Sequence, residues 1–233
     1  MRFTAAFILC LVFTSCKKSG SDSEPASPVV TVSFAHVAGG DTLTFDGSTY
    51  TNAAGNEYAV TKLQYILTDM YLQQDGEDAT RVFSEKFVDA DLNVTDTAVA
   101  TAAGEYSGIS FVFGVRNDVV LSETTDFDNM EWPGAGYHYM KFEGSYLEGA
   151  GKESFLVHTG PTVGVDYSVK MTLAVPFTLT DSKKLTLTMD VNQWFRGSED
   201  YDFRTYSGMI MGNSRAQSAL KSNGTDVFSG AVE

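Results

Sequence analysis

The chain has 233 residues, with 16 basic and 30 acidic side chains and a formal net charge of −14. Such an acidic surface repels nucleic-acid phosphates, so the composition argues against DNA or RNA binding. The length that remains after an N-terminal leader suits one domain of an all-β architecture.

The first sixteen residues, MRFTAAFILCLVFTSC, have the pattern of a secretion signal. Arg2 gives the positive start, and the apolar run that follows is shorter than the ~20 residues of a membrane-spanning helix. A small-residue pair ending in Cys16 resembles the lipobox of bacterial lipoproteins. We therefore predict a signal peptide over residues 1–15, lipidation of Cys16 at the outer membrane, and a lipidated, flexible tether over 16–28. The alternatives are an ordinary cleaved signal and a Cys10–Cys16 disulfide.

Residues 29–233 predict one domain built of strands. Alternation of apolar and polar residues places one set of side chains on a single face of the first strand: Val30, Val32, Phe34 and His36. The same period recurs over residues 57–74, 109–115, 165–175 and 185–191. Asp75-Gly76 predicts a hairpin turn after the first of these. Short helices are predicted near 95–103 and over 211–223, so the fold class is an all-β antiparallel β-sandwich with a short C-terminal helix.

Motifs of the common hydrolases and nucleotide enzymes are absent from the sequence. It has no G-x-G-x-x-G, no P-loop, no H-E-x-x-H and no G-x-S-x-G, so we predict a non-catalytic protein. The acidic stretches Asp126–Asp128 and Glu199–Asp202 offer oxygen ligands for calcium. Neither matches the calcium loop D-x-[DN]-x-[DN]-G, which makes calcium the weaker metal candidate.

All three histidines lie in strand-like, aromatic-rich segments, at 33–40, 130–144 and 155–160. His36 and His158 each close a strand before a glycine, so they can converge if their strands are neighbours. Two imidazoles without a thiolate suit copper(I) better than zinc, which usually takes three or four protein ligands. His138 shares a strand face with Met140, and it is either a third donor or a core histidine.

The chain resembles the MbnP-like copper-binding proteins over about residues 30–230. The resemblance lies in the order and spacing of seven segments. They are VSFAHVAGGDTLTF, YTNAAGNEYAVTKLQYILTDMYL, YSGISFVFGV, MEWPGAGYHYMKFEG, FLVHTG, LTMDVNQWF and ALKSNGTDVFS. The resemblance implies a β-sandwich that binds copper through histidines and a tryptophan oxidised to kynurenine by a di-haem peroxidase-like partner. By position, Trp132 is the tryptophan, and His36 and His158 are the imidazole ligands.

The segment around Trp132 departs from the family pattern M-x-W-x-W-x-x-G-Y. This chain is one residue shorter there and has Gly134 near the place of the second tryptophan. The predicted function is a lipid-anchored copper protein for acquisition, storage or hand-off, with His36 and His158 as ligands and Trp132 or His138 completing the site. The alternatives are a scaffold whose copper site has decayed, and a module that binds glycan or protein through exposed aromatic side chains, for which Tyr137, Tyr139 and Tyr201 are the candidates.

Overall fold

The computed structural model describes residues 27–92, 96–121, 125–133, 136–197, 200–206 and 208–233. The predicted signal peptide, Cys10, Cys16 and nearly all of the predicted tether lie outside the described residues. Within the described ranges, no helix has the length and apolar character needed to cross a membrane.

The described residues form fifteen strands and two α-helices. The strands are β1 (Val29–Ala38), β2 (Asp41–Thr42), β3 (Thr49–Thr51), β4 (Glu57–Gln74), β5 (Glu77–Asp89), β6 (Thr97–Ala100), β7 (Gly104–Phe113), β8 (Glu131–Trp132), β9 (Gly136–Tyr137), β10 (Met140–Glu148), β11 (Gly151–Thr159), β12 (Val169–Leu179), β13 (Lys183–Asp190), β14 (Gly208–Met209) and β15 (Phe228–Val232). The helices are α1 (Thr125–Asp128) and α2 (Ser214–Asn223). Short 3₁₀ turns cover Val191–Phe195 and Gly224–Asp226.

Two sheets face each other across one core. The smaller sheet has the order β15-β13-β1-β2, with β6 also paired to β1. The larger has the order β12-β7-β4-β10-β11-β14, with β3 and β5 also paired to β4. Aromatic contacts join the sheets, since Phe228 on β15 meets Tyr65 on β4 and Phe111 on β7. The predicted β-sandwich is therefore confirmed.

The long strand β4 and the hairpin after it follow the sequence pattern closely. β4 covers residues 57–74, and Asp75 and Gly76 both have positive φ angles, 51° and 82°. Two consecutive left-handed residues are what a two-residue hairpin turn requires, and glycine adopts that backbone without penalty. The turn therefore fixes β5 as the antiparallel neighbour of β4.

Other elements differ from the sequence-based expectation. The stretch expected to be a short helix near 95–103 contains strand β6, because Thr97–Ala100 pair with the start of β1. The sheets are mixed, since β1 runs parallel to β13 from Val30 to Val37. Helix α2 starts at Ser214, because the Asn213 side chain accepts a hydrogen bond from the Ala216 N–H and caps the helix there.

Candidate metal centre

His138 and His158 meet on the outer face of the larger sheet. His158 lies on β11 between Val157 and Thr159, whose side chains are buried in the core, so the alternation of the strand turns His158 outward. His138 precedes β10 and is held by its own N–H, which donates to the Met130 carbonyl at 2.6 Å. The two imidazole rings lie 5.1 Å apart, edge to face.

The partners of the two rings determine which nitrogen carries the proton. His138 Nδ1 lies 3.1 Å from the Met130 carbonyl oxygen, which can only accept, so Nδ1 is the protonated nitrogen and Nε2 holds a lone pair. His158 Nε2 lies 3.0 Å from Glu143 Oε1, so Nε2 donates to that carboxylate and Nδ1 holds the lone pair. This Nδ1 is buried and has no hydrogen-bond partner in the described part of the chain. Each ring therefore offers one nitrogen able to bind a metal.

Burial keeps both imidazoles in the neutral form that a metal requires. Desolvation lowers the pKa of His138 from the ordinary 6.5 to about 4. Desolvation also lowers the pKa of His158, although the hydrogen bond and the charge of Glu143 oppose that shift. Glu143 is itself paired with Lys62 at 3.3 Å. The two rings are thus uncharged at neutral pH, and their lone pairs are available.

Trp132 lies beside His138 and completes a row of three rings. It belongs to the two-stranded ribbon of β8 and β9, in which Trp132 pairs with Gly136. The half-buried indole has its ring centre 5.0 Å from that of His138, edge to face. We call Trp132, His138 and His158 the three-ring cluster. Gly134, near the position of the family's second tryptophan, lies outside the described residues.

The structure places His36 apart from the three-ring cluster. His36 faces the interior of the sandwich, where its Nε2 lies 2.9 Å from the Tyr65 hydroxyl. Tyr65 pairs with the buried Met140, on the core face of the larger sheet, whereas His158 projects from the opposite face. The larger sheet therefore separates the two histidines that the sequence suggested as a pair. His138, which the sequence left between a ligand and a core role, is the histidine that joins His158.

His36 should make the fold sensitive to acid. Desolvation lowers its pKa from 6.5 to about 4, so the unfolded chain takes up this proton at a higher pH than the folded chain. The associated stability is present above pH 6.5 and is lost as pH falls toward 4, by about 3 kcal/mol in all. Urea unfolding of the native chain and of His36→Gln, each at pH 7.5 and pH 4, checks this. Between pH 7.5 and pH 4, we expect the free energy of unfolding of the variant to fall by about 3 kcal/mol less than that of the native chain. Equal decreases in the two proteins would contradict this role of His36.

Glu143 is the functional residue that sequence reasoning missed. It lies within β10, which pairs with β11 through a tight turn after Glu148. In that register Lys141 stands opposite His158, and Glu143 is on the same face two residues further along. The hairpin register, counted back from Gly149 and Gly151, is the signal that could have found this contact.

The structure describes the calcium candidates only in part, since the Asp126 side chain lies outside what it describes. No group of three or more His, Cys, Asp or Glu side chains suited to a metal occurs among the described residues. Of the two acidic stretches considered for calcium, Glu199 lies outside the described residues, and Asp202 already binds Asn56 and Arg204. Tyr139 and Tyr201 are 1% and 0% exposed, so they do not form a row of exposed tyrosines with Tyr137.

Comparison with known proteins gives one family and one fold. The family model named MbnP matches residues 27–212, which is most of the chain. The solved structure of MbnP from Methylosinus trichosporium superposes with a TM-score of 0.60 at 14% sequence identity, covering 88% of this chain and 99% of that one. At this identity the likeness shows a shared fold. No curated protein matches the chain. Because the family model covers well over half of the sequence, the chain belongs to the MbnP family.

Proposed function

We propose that this protein binds copper(I) at the three-ring cluster and acts in copper acquisition, storage or hand-off, without catalytic turnover. The observation that carries the proposal is the buried Nδ1 of His158, which has no partner among the described residues and lies on a ring packed against His138. Unpartnered buried polar atoms are rare in folded proteins and call for an explanation. A metal ion between the two imidazoles supplies one.

The donor set favours copper(I) over other metals. Zinc usually takes three or four nitrogen, sulfur or oxygen ligands, and no such group occurs among the described residues. Calcium and magnesium require several oxygen donors. Imidazole is a good ligand for copper, and a site with two neutral imidazoles and few other donors suits its lower oxidation state. The resemblance to MbnP-like copper proteins supports the same choice.

Trp132 is the proposed third member of the site. An intact indole has only an N–H to offer, which donates and cannot bind a metal. Oxidation to kynurenine opens the ring and creates a carbonyl and an aromatic amine, both of which are potential donors. The family resemblance implies this change and a di-haem peroxidase-like partner that performs it. We further propose that Cys16 is lipidated, which would hold the domain at the outer membrane.

A copper(I) titration tests the proposal. The reduced protein, expressed from its full sequence, is titrated against bicinchoninate as a competing chelator, with and without co-expression of a di-haem oxidase. We expect one equivalent of copper(I) to be retained. Retention only after co-expression, together with a mass gain on the peptide that contains Trp132, would support the kynurenine route. No retained copper in either preparation would overturn the proposed function.

Glu143→Gln should weaken copper(I) binding about tenfold, because the carboxylate that fixes the His158 ring and strengthens its basicity is lost. The glutamine can still accept from Nε2–H, so the ring keeps a neutral partner in place of a charged one. Glu153→Gln removes an exposed carboxylate from the same hairpin and is the matched control. Equal affinities in the two variants would show that Glu143 does not position His158.

A further inference from the structure

A recess lies on the outer face of the larger sheet, and none of its lining residues belongs to the three-ring cluster. It is a groove of about 630 Å³ that crosses β5, β4, β7 and β12, with the C-terminal end of α2 at one side. Met70 on β4 and Met171 on β12 point inward and are buried in the core. The side chains that alternate with them along these strands therefore point outward, into the groove. We call this recess the basic groove.

The charge of the basic groove is opposite to that of the whole protein. Four basic side chains line it, together with the acidic Asp69 and Asp78, so the described lining carries a formal charge of +2. The chain as a whole carries −14, with only 16 basic residues. The basic residues of the lining are Arg81, Arg116, Lys170 and Lys221. A quarter of all basic residues therefore meets at one recess, where low-dielectric walls concentrate the field.

The two arginines share the Asp69 carboxylate at long range, and Arg116 also pairs with the Asp118 carboxylate at 3.1 Å. Arg81 and Arg116 approach the Asp69 carboxylate at 3.9 Å and 3.8 Å. Arg81 also donates from Nε to the Tyr71 hydroxyl at 2.8 Å, and this contact fixes the guanidinium beside the ring. Asp69 is therefore a weak partner for two positive charges, while the Tyr71 hydroxyl holds the Arg81 guanidinium and Asp118 holds that of Arg116 at the rim.

Neither lysine forms an ion pair within 4.0 Å in the described part of the chain. The Lys170 ammonium group, exposed on β12, makes no hydrogen bond or ion pair there. Lys221 donates to the Asp166 main-chain carbonyl at 2.9 Å, and its positive charge also acts on the nearby Asp166 carboxylate. Lys221 also lies in the last turn of α2, where the helix dipole stabilises a cation.

The backbone of β4 is irregular where it enters the basic groove. Asp69 has a φ of 51°, unusual for a residue other than glycine, and the pairing of β4 with β7 changes register between Thr68 and Tyr71. Bulges of this kind re-aim side chains and concentrate near functional sites. Here the irregularity presents both Asp69 and Tyr71 to the groove.

We propose that the basic groove binds a small organic anion that carries two or more carboxylate or phosphate groups. Guanidinium groups recognise both kinds of oxyanion through paired N–H donors, and the two lysines add charge on the opposite side of the recess. The Tyr71 ring and Val112 give the floor an apolar part for the body of such a ligand. The proposal does not depend on copper, since the groove contains none of the cluster residues.

Isothermal titration of the metal-free protein with citrate and with pyrophosphate tests the proposal at low ionic strength. We expect at least one probe to bind more tightly than about 1 mM and to weaken as salt is added. Binding of citrate alone would identify a carboxylate site, and binding of pyrophosphate alone would identify a phosphate site. Binding of both probes would show that the groove recognises the oxyanion chemistry that they share. Binding of neither probe at this level would overturn the proposal.

A pair of double variants locates the binding. Lys170→Gln/Lys221→Gln removes two charges from the groove, and Lys152→Gln/Lys184→Gln removes two exposed charges elsewhere, so both proteins have the same net charge. We expect about tenfold weaker binding in the first and little change in the second. Since all four side chains are on the surface, thermal melting should show both variants folded. If the two double variants bound the anion equally weakly, the loss would reflect overall charge and not a local site. That result would overturn the proposed binding site.

Discussion

We expect the His138→Ala/His158→Ala variant to bind copper(I) about a thousandfold more weakly than the native chain. Loss of a group that only orients a ligand typically costs 10- to 100-fold in metal affinity, so loss of both ligands should cost more. The two rings lie 5.1 Å apart, and each offers one free nitrogen. Removing both leaves Trp132 alone, and an indole cannot hold the ion. Competition with bicinchoninate measures the change.

His36→Gln is the matched control for this experiment. It removes the third histidine, which lies across the larger sheet from the cluster, and the glutamine amide can still bond the Tyr65 hydroxyl. We expect its copper(I) affinity to stay within about threefold of the native value, as for sites that share no partner. A large loss of copper(I) affinity in His36→Gln, with little loss in the double variant, would show that His36 binds the metal. It would contradict the proposed site at the three-ring cluster.

The second large effect concerns Tyr58, where replacement by alanine should cost about 4 kcal/mol of the free energy of unfolding. Its side chain is 1% exposed on β4, and truncation leaves a cavity that the surrounding sheets cannot close. Edge-to-face contacts add to the loss. Five aromatic rings lie within 6.4 Å of the Tyr58 ring: Tyr50, Phe142, Phe155, Phe195 and Phe203. Urea denaturation followed by far-UV circular dichroism measures the difference.

Tyr58→Phe separates the ring from its hydroxyl. The hydroxyl donates to Asn192 Oδ1 at 2.8 Å, so this variant should cost about 1–2 kcal/mol, the penalty for leaving a partly buried acceptor unpaired. The remaining cost of the alanine variant then measures packing. If both variants cost the same, the contribution of Tyr58 would come from its hydrogen bond and not from the aromatic cluster.

The site also depends on elements far from the cluster. The Gln217 side chain of α2 donates to the His158 carbonyl at 2.8 Å and so supports the end of β11 from outside the sheet. The Tyr139 N–H donates to the Thr159 carbonyl at 2.7 Å, which draws the segment that carries His138 against β11. The separation of the two imidazoles is therefore fixed by backbone contacts on both sides.

The sequence by itself determined the strands and the turns between near neighbours. Period-two alternation marks which side chains share a face, and Asp75-Gly76 has the backbone preference that joins β4 to β5. The same alternation placed His158 on a strand and Trp132 and His138 in one segment. These signals are local, because they depend on residues two positions apart or on a single turn.

Only the tertiary structure decided which histidines meet. His138 and His158 are brought together by the hairpin of β10 and β11, whereas β1, which carries His36, pairs in parallel with β13, about 150 residues along the chain. The alternation of apolar and polar residues shows which face of a strand is buried, but it does not identify the neighbouring strand. Two parallel strands are not joined by a short turn, so no local sequence signal shows that they pair. The partner of β1 is selected by burial of its apolar face against the opposite sheet. This turns the half-buried His36 toward the core, whereas His158 projects from the outer face of the larger sheet.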